Sequence, residues 1–197
     1  MTILISTIYK GSAVIQAIKL FEPQKVYLIV DDPIDDVRKN TINMMREIFT
    51  TLEFIQVPAK IYDIVDIAHA TIKTIDSEKG NKIIIHISEG RKTMSLGVLF
   101  GAYAVRDKVN SAYYITEEAN SPIQIPLVDL KVSTKKQKIL ESIKQGKNTV
   151  NLLEKEMGTS SATLYVQLKE LRDDGLLSKN NKLTEMGKIV LLNNRNS

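Results

Sequence analysis

The 197-residue sequence predicts an α/β domain on a mostly parallel sheet, followed by a smaller, largely helical domain. Short apolar runs rich in β-branched residues alternate with amphipathic segments as far as about residue 120, which is typical of repeated strand–helix units. Near residue 132 this alternation gives way to consecutive helix-like segments. We therefore predict two domains, residues 1–131 and residues 132–197.

Six segments of the first domain have the length and composition of strands, and amphipathic segments separate the first five. The predicted strands are Thr2–Thr7, Lys25–Val30, Phe54–Val57, Lys82–Ile87, Ala112–Thr116 and Ile123–Asp129. The predicted helices are Ser12–Leu20, Asp35–Thr50, Tyr62–Asp76 and Thr93–Val105. This alternation indicates a Rossmann-like architecture with helices on both faces of the sheet. Pro122 and Pro126 favour an edge position or an antiparallel hairpin for the last strand, because proline cannot donate to a sheet ladder.

The turns that follow the first and fourth strands form the candidate binding site. In an open α/β sheet, ligands bind beyond the carboxyl ends of the strands, near the point where the strand order reverses. Both turns combine a glycine, hydroxyl groups and basic residues just before a helix, whose first backbone N–H groups favour an anion. The candidates are Thr7, Ile8, Tyr9, Lys10, Gly11 and Ser12 in the first turn, and Ser88, Glu89, Gly90, Arg91, Lys92 and Thr93 in the second. We expect a phosphate-bearing ligand at this site.

Several other functional classes are disfavoured. The glycine-rich fingerprint of dinucleotide folds does not follow the first strand and no P-loop occurs, which argues against a dinucleotide cofactor or a nucleoside triphosphate hydrolase. The sequence has no cysteine and two histidines, so we predict no metal and no cofactor. We interpret Asp31 and Asp32 as a turn and helix cap, His86 as a packed core residue and His69 as a residue of a helix surface.

The charge is divided unevenly between the two domains. Residues 1–131 contain 15 Lys/Arg and 16 Asp/Glu, whereas residues 132–197 contain 12 and 7, a net charge of +5. A basic module beside a nearly neutral one favours a polyanion as the partner of the second domain, although a solvated basic surface is the alternative.

No segment approaches the roughly 20 uninterrupted apolar residues of a membrane-spanning helix, and the sequence begins with a strand-like Ile3–Ile5 rather than a signal peptide. We therefore predict no membrane partner and a cytoplasmic location.

The second domain is predicted to contain three helices and a hairpin. The helices are Thr134–Gln145, Val150–Met157 and Ser161–Asp173. Gly146 ends the first helix, and Thr149 is expected to cap the second. The short Gly158–Ser160 turn gives the last two helices the arrangement of a helix-turn-helix. A strand at 174–178, a polar tip at 179–182 and a strand at 183–184 have the pattern of a wing.

This segment resembles winged helix-turn-helix regulators through Ser161–Leu171, Gly175–Leu177 and Leu183–Gly187. The resemblance implies that it binds double-stranded DNA. The implied DNA-binding residues are Ser160, Ser161, Thr163, Leu164, Tyr165, Gln167 and Lys169 on or near the recognition helix, and Lys179, Asn180 and Lys182 in the wing. A winged helix used for protein contacts is the alternative.

Together the two halves resemble, over nearly the full length, the archaeal type of CRISPR-associated transcriptional regulator, which joins an N-terminal CARF domain to a C-terminal winged helix-turn-helix. The resemblance implies a homodimer of antiviral defence that binds cyclic oligoadenylate, chiefly cyclic tetra-adenylate, across its two-fold axis. Thr7–Ser12 and Ser88–Ser95 stand at the positions of the family's ligand loops. Glu89 departs from the family pattern, which commonly has a glycine there, and it places an acidic side chain near an anionic ligand.

Two other functions stay open. Some relatives cleave the cyclic ligand, and for a slow ring nuclease the candidate residues are Lys92, Lys10, Ser12 and Thr93. We find no paired acid and base at fixed spacing, so we assign no catalytic residue and predict a protein that is not an enzyme. The remaining alternative is a winged-helix regulator that senses an unrelated metabolite.

Overall fold

The computed structural model describes residues 1–192, and the chain divides into two compact units, Met1–Asp129 and Leu130–Ser197. This division falls two residues before the boundary predicted from the sequence. Residues 193–197, the end of the predicted second domain, lie outside the described residues.

The first unit alternates strands and helices around one sheet. In chain order its elements are β1 Thr2–Thr7, α1 Ser12–Phe21, β2 Lys25–Asp31, α2 Asp36–Ile48, β3 Glu53–Ala59, α3 Ile64–Ser77, β4 Lys82–His86, α4 Lys92–Ala104, a short 3₁₀ helix Arg106–Lys108, β5 Ser111–Ile115 and β6 Pro122–Ile125. The strand order is β3-β2-β1-β4-β5-β6. The first five strands are parallel and β6 pairs antiparallel with β5, which confirms the predicted mostly parallel sheet.

The last strand is shorter than predicted. It ends at Ile125 instead of Asp129, because Pro126 has no N–H with which to continue the ladder. The strand lies at the edge of the sheet in an antiparallel hairpin, as its prolines indicate. At the opposite edge β3 is longer than predicted and includes Pro58.

Helices α3 and α4 pack against each other at unusually close range. A Cβ placed at Gly97 would lie 2.6 Å from the Cβ of Ile67, and one at Gly101 would lie 2.8 Å from the carbonyl oxygen of Ala68. A larger residue at either position therefore forces a neighbour to move. This close packing fixes α4, and with it the second turn, relative to the sheet.

The second unit has a small helical core. Its helices are α5 Thr134–Lys144, α6 Val150–Met157, α7 Ser161–Asp173 and α8 Glu185–Val190. Three leucines, Leu164, Leu168 and Leu171, lie on one face of α7. They are buried in a cluster with Ile139 and Leu153. The first three helices agree with the sequence prediction, whereas α8 was not predicted.

Two local predictions for the second unit are confirmed only in part. The predicted hairpin is present in a short form, with one antiparallel bridge between Leu177 and Leu183. Backbone hydrogen bonds from Ser178 to Lys182 at 2.8 Å and from Thr184 to Leu176 at 3.1 Å lie on either side of it. Thr149 occupies the cap position of α6, but its side chain makes no cap hydrogen bond within the described residues.

The side chain of Arg38, in α2, is almost fully buried near the end of β2. Its Nη1 lies 3.1 Å from Asp31 Oδ2 and donates to Asp35, and its guanidinium carbon lies 5.2 Å from the centre of the Tyr9 ring. Asp35 in turn caps α2 by accepting from the backbone N–H of Arg38. The expectation that Asp31 and Asp32 form the helix cap is therefore wrong, because Asp31 ends β2 and its carboxylate pairs with Arg38.

Arg38→Ala is expected to lower the free energy of unfolding by about 3–5 kcal/mol, because it leaves the buried Asp31 carboxylate without its counter-ion. The matched control is Lys39→Ala on the same helix, whose pair with Asp36 is exposed and contributes about 0–1 kcal/mol. Urea unfolding of the three proteins measures the difference. Equal losses in both variants would contradict a special role for the buried pair.

Candidate ligand-binding site

The carboxyl ends of β1 and β4 meet at a polar cavity in the first unit. The two strands are parallel neighbours, with Ser6 opposite His86, so the first and second turns leave the sheet side by side. The cavity has a volume of about 440 Å³. It is lined by Tyr9, Lys10, Ser12, Ala13, Ser88, Glu89, Gly90, Ile115, Thr116, Glu117 and Asn120. The strand order reverses here, which is the position that the sequence analysis indicated.

The predicted ligand residues divide into two groups. Those that line the cavity are Tyr9, Lys10, Ser12, Ser88, Glu89 and Gly90, and those that do not are Thr7, Ile8, Gly11, Arg91, Lys92 and Thr93. Thr7 and Ile8 are fully buried. The hydroxyl of Thr7 donates to the backbone carbonyl of Glu89, and that of Thr93 donates to the carbonyl of Ile61 at 2.5 Å. These two hydroxyl groups therefore hold the turns in place.

The carboxylate of Glu89 is inserted into the first turn. Its Oε2 accepts from the backbone N–H groups of Tyr9 at 2.9 Å and Gly11 at 2.6 Å. Its Oε1 accepts from the N–H of Ala13 at 2.6 Å and from the hydroxyl of Ser12 at 3.2 Å. We call these four donors the α1 cradle. The amides that the sequence analysis expected to face a phosphate are thus already bonded to a carboxylate of the chain itself.

Gly11 is needed for the shape of the cradle. Its φ of 85° lies in the left-handed region, and a Cβ there would lie 2.6 Å from Cγ2 of Thr41. Any other residue at this position would be strained and would clash.

The basic residues of the second turn lie outside the cavity. Arg91 lies at the start of α4 with its guanidinium carbon 5.5 Å from the ring of Tyr62, and Lys92 is exposed in the first helical position. The first helical turn of α4 contains no acidic residue. Within the part of the chain that the structure describes, the side chain of Arg91, at the cap position, makes no cap hydrogen bond. The two cations therefore lie next to backbone N–H groups that favour an anion.

Sequence analysis missed the contribution of the connection between β5 and β6. Ile115, Thr116, Glu117 and Asn120 line one wall of the cavity. The connection is closed by a hydrogen bond of 3.0 Å from the backbone N–H of Asn120 to the carbonyl of Thr116, and the N–H of Ile115 donates to Ser88 Oγ at 2.6 Å. The polar run between two short strands was the only available signal, and it is equally typical of an ordinary turn.

The predicted DNA-binding residues lie on one end of α7 and in the following loop. Thr163, Tyr165 and Lys169 are exposed, as are Lys179, Asn180 and Lys182. Ser160 is also exposed and caps α7, whereas Ser161 and Gln167 are partly buried. The prediction that Leu164 contacts DNA is wrong, because its side chain is fully buried in the core of the second unit. The hydroxyl of Ser161 is engaged too, since it donates to Glu154 Oε2 at 2.7 Å.

Residues 5–120, more than half of the chain, match the family model described as HFX_2341_N-like, N-terminal. The chain belongs to this family. Residues 127–193 match the N-terminal domain of the methanogenesis regulatory protein FilR1. No curated protein matches the sequence.

Solved structures similar to this member of the HFX_2341_N-like family include three proteins of low sequence identity. A type III CRISPR defence DNA nuclease activated by cyclic oligoadenylate aligns with a TM-score of 0.51 at 11% identity, over 80% of this chain and 30% of that one. Can2 from Sulfobacillus thermosulfidooxidans, in complex with cyclic tetra-adenylate, aligns with a TM-score of 0.50 at 11% identity, over 98% of this chain and 58% of Can2. VC1899 from Vibrio cholerae aligns with a TM-score of 0.53 at 10% identity, over 98% of this chain and 64% of VC1899.

The chain therefore spans between about a third and two thirds of the length of these proteins. At this identity the similarity shows the fold alone, a mixed α/β architecture. No helix among residues 1–192 is long and apolar enough to cross a membrane. Nor do those residues contain a group of three or more His, Cys, Asp and Glu side chains that could hold a metal ion.

His86 lies beneath the site, fully buried at the end of β4, in agreement with its interpretation as a core residue. The hydroxyl of Ser6 donates to the carbonyl of Thr7, so the Nδ1–H of His86 is the donor in its 2.8 Å hydrogen bond with Ser6 Oγ. The described residues provide no hydrogen-bond partner for Nε2. Burial lowers the pKa of His86 from 6.5 to about 4, and the nearby Glu89 carboxylate opposes this shift.

The low pKa of His86 predicts a loss of stability in acid. Between pH 6.5 and about 4 the unfolded chain binds more protons at this residue than the folded chain, so the free energy of unfolding falls as the pH falls through this window. The expected loss is about 3 kcal/mol. Urea unfolding across the window measures it, and His86→Asn, which keeps a donor but does not titrate, should remove most of it. A loss removed equally by His69→Asn would contradict the assignment.

Proposed function

We propose that the chain is a ligand-responsive transcriptional regulator of a CRISPR–Cas system, in which the first unit binds a cyclic oligoadenylate and the second binds double-stranded DNA. The observation that carries the proposal is the polar cavity between the two turns, in a fold shared with Can2, which was solved with cyclic tetra-adenylate. The match of residues 127–193 to the N-terminal domain of a regulatory protein supports the second half.

The size and charge of the site favour a ligand shared by two chains. A cavity of about 440 Å³ is in the usual range for a drug-sized molecule, whereas a cyclic tetranucleotide is considerably larger. A ring of identical nucleotides also has the symmetry of a homodimer, in which each chain supplies one copy of the site. Arg91 and Lys92, beside the cavity, would supply positive charge to the ring's phosphates.

We propose binding rather than cleavage as the function of the site. Nucleophilic cleavage needs a hydroxyl or amine beside the reacting bond with a base in reach. Two of the four candidate nuclease residues, Lys92 and Thr93, do not line the cavity, and the hydroxyl of Thr93 donates to the carbonyl of Ile61. Ser12 lines the cavity and donates to the Glu89 carboxylate, but that carboxylate already accepts from three backbone N–H groups. We therefore propose a sensor that is not an enzyme.

The N-terminal part of α7, residues 161–168, contains no charged residue. The charged residues of the helix lie at its C-terminal end, where Glu170 and the following Asp174 both pair with Lys136, at 3.2 Å and 2.9 Å. In helix-turn-helix proteins the N-terminal residues of the second helix contact the bases. This distribution supports α7 as a recognition helix that enters the major groove at its N-terminal end.

Isothermal titration of the full chain with cyclic tetra-adenylate should give one ring per two chains. The double variant Arg91→Ala, Lys92→Ala should bind about tenfold more weakly or worse, since a hydrogen bond to a charged group contributes roughly 1.5–3 kcal/mol. The matched control is Lys79→Ala, Lys82→Ala, which removes the same charge at the opposite end of β4. Absence of binding would favour a regulator that senses an unrelated metabolite, and equal losses in both variants would argue against Arg91 and Lys92 as contacts.

DNA binding can be followed by the fluorescence anisotropy of a labelled mixed-sequence duplex. Lys169→Ala and Lys182→Ala should each weaken binding and reduce the slope of log affinity against log salt by about 1, as expected for a lost phosphate contact. Lys138→Ala, an exposed lysine of α5, is the control. If the control lowers the slope as much as the other two, α7 and the following loop are not the DNA-binding surface.

A further inference from the structure

The first helix of the chain receives its N-terminal cap from a distant residue. Gly11 stands at the cap position of α1 and has no side chain, and the first turn of the helix contains no acidic residue. Glu89, 78 residues away from Gly11 in the sequence, supplies the missing negative charge through the four hydrogen bonds of the α1 cradle. Backbone N–H groups at a helix start, together with the helix dipole, form the arrangement that binds phosphate in many proteins. The carboxylate occupies the place of such an anion.

The backbone of the second turn holds Glu89 in this position. The hydroxyl of Thr7 donates to the carbonyl of Glu89, and Gly90, with a φ of 90°, lies so close to β1 that a Cβ would be 3.2 Å from the Cβ of Thr7. The main chain of Glu89 is therefore fixed against the end of β1. From this position the side chain of Glu89 reaches the N-terminus of α1.

The charges around the cavity also disfavour a phosphate on this side. Glu89 and Glu117 line the cavity with one lysine, Lys10, so the formal charge of the lining is negative. The situation differs at the start of α4, where Arg91 and Lys92 stand without an acidic neighbour in the first helical turn. At the second turn a ligand phosphate would therefore meet positive charge and a helix start that no side chain caps within residues 1–192. At the first turn it would meet occupied donors and negative charge.

We propose that Glu89 is a specificity-determining residue that fills the α1 cradle and restricts the phosphates of the ligand to the Arg91–Lys92 side of the site. The inference rests on the proposed function only in taking the ligand to be phosphate-bearing. The occupation of the cradle by the carboxylate can be tested with inorganic phosphate alone, whatever the ligand is.

The experiment follows the backbone amide resonances of Tyr9, Gly11 and Ala13 in the isotope-labelled full chain during titration with inorganic phosphate at constant ionic strength. In the wild type these resonances should not show a saturable change. In Glu89→Ala the cradle is empty and they should shift saturably, with an affinity for phosphate at least about tenfold above the wild type, the factor that corresponds to 1.4 kcal/mol. Glu117→Ala is the matched control, because it removes the other carboxylate of the cavity without touching the cradle, and it should behave as the wild type.

Three results would overturn the inference. They are a saturable shift in the wild type equal to that of Glu89→Ala, an equal shift in Glu117→Ala, and no shift in Glu89→Ala. If Glu89→Ala does not fold, Glu89→Ser replaces it, since serine keeps a polar side chain in the turn but has no carboxylate and is too short to fill the cradle. A saturable shift of the same three amides then supports the inference, and its absence overturns it. Failure to bind cyclic tetra-adenylate would count against the proposed function without changing this outcome.

Discussion

The parallel pairing of β1 with β4 is the constraint on which the candidate site depends. Ser6 and His86 are 80 residues apart in the sequence, yet they lie opposite each other in the sheet and share a buried hydrogen bond. Because parallel neighbours end at the same edge, the two turns that follow them must leave the sheet together. The close contact of α3 with α4 at Gly97 and Gly101 then fixes the helix that the second turn begins. Every hydrogen bond of Glu89 to the first turn requires this arrangement.

Hydrogen bonds join the segments that surround the candidate site. The two turns are connected to each other through Glu89, and the connection between β5 and β6 is attached to the second turn through Ser88 and Ile115. Arg38 holds the end of β2 beneath Tyr9 at the same edge. A binding site whose walls are already joined loses little conformational entropy on binding, so more of the contact energy appears as affinity.

The fold could be predicted from the sequence because the central strands are buried on both faces. Ile3, Leu4 and Ile5 in β1 and Ile83–Ile85 in β4 form uninterrupted apolar runs for that reason, and their bounds were predicted to within a residue. Helix α8 was missed because six residues are too few to show a helical period. The hairpin of the second unit has a single bridge pair, and side chains add to the backbone hydrogen bonds at its tip. Arg172 donates to Asn181 at 2.7 Å and Asn181 donates to the carbonyl of Asn148 at 3.3 Å, contacts that have no local sequence pattern.

The site was predictable only as far as the position of its turns. That Glu89 would cap α1, and that Thr116 to Asn120 would form a wall, depends on contacts between residues distant in sequence, which have no local pattern. Arg91 and Lys92 illustrate the same limit. They directly follow Gly90, which lines the cavity, but they lie outside it, and the sequence has no signal for this difference.

The two outer strands of the sheet each contain a proline, Pro58 in β3 and Pro122 in β6. An edge strand normally offers a row of unpaired N–H and C=O groups to any other strand, and a proline removes one donor from that row. The sheet is therefore poorly suited to continue into a sheet of another molecule. Each edge therefore offers an incomplete template for edge-to-edge aggregation.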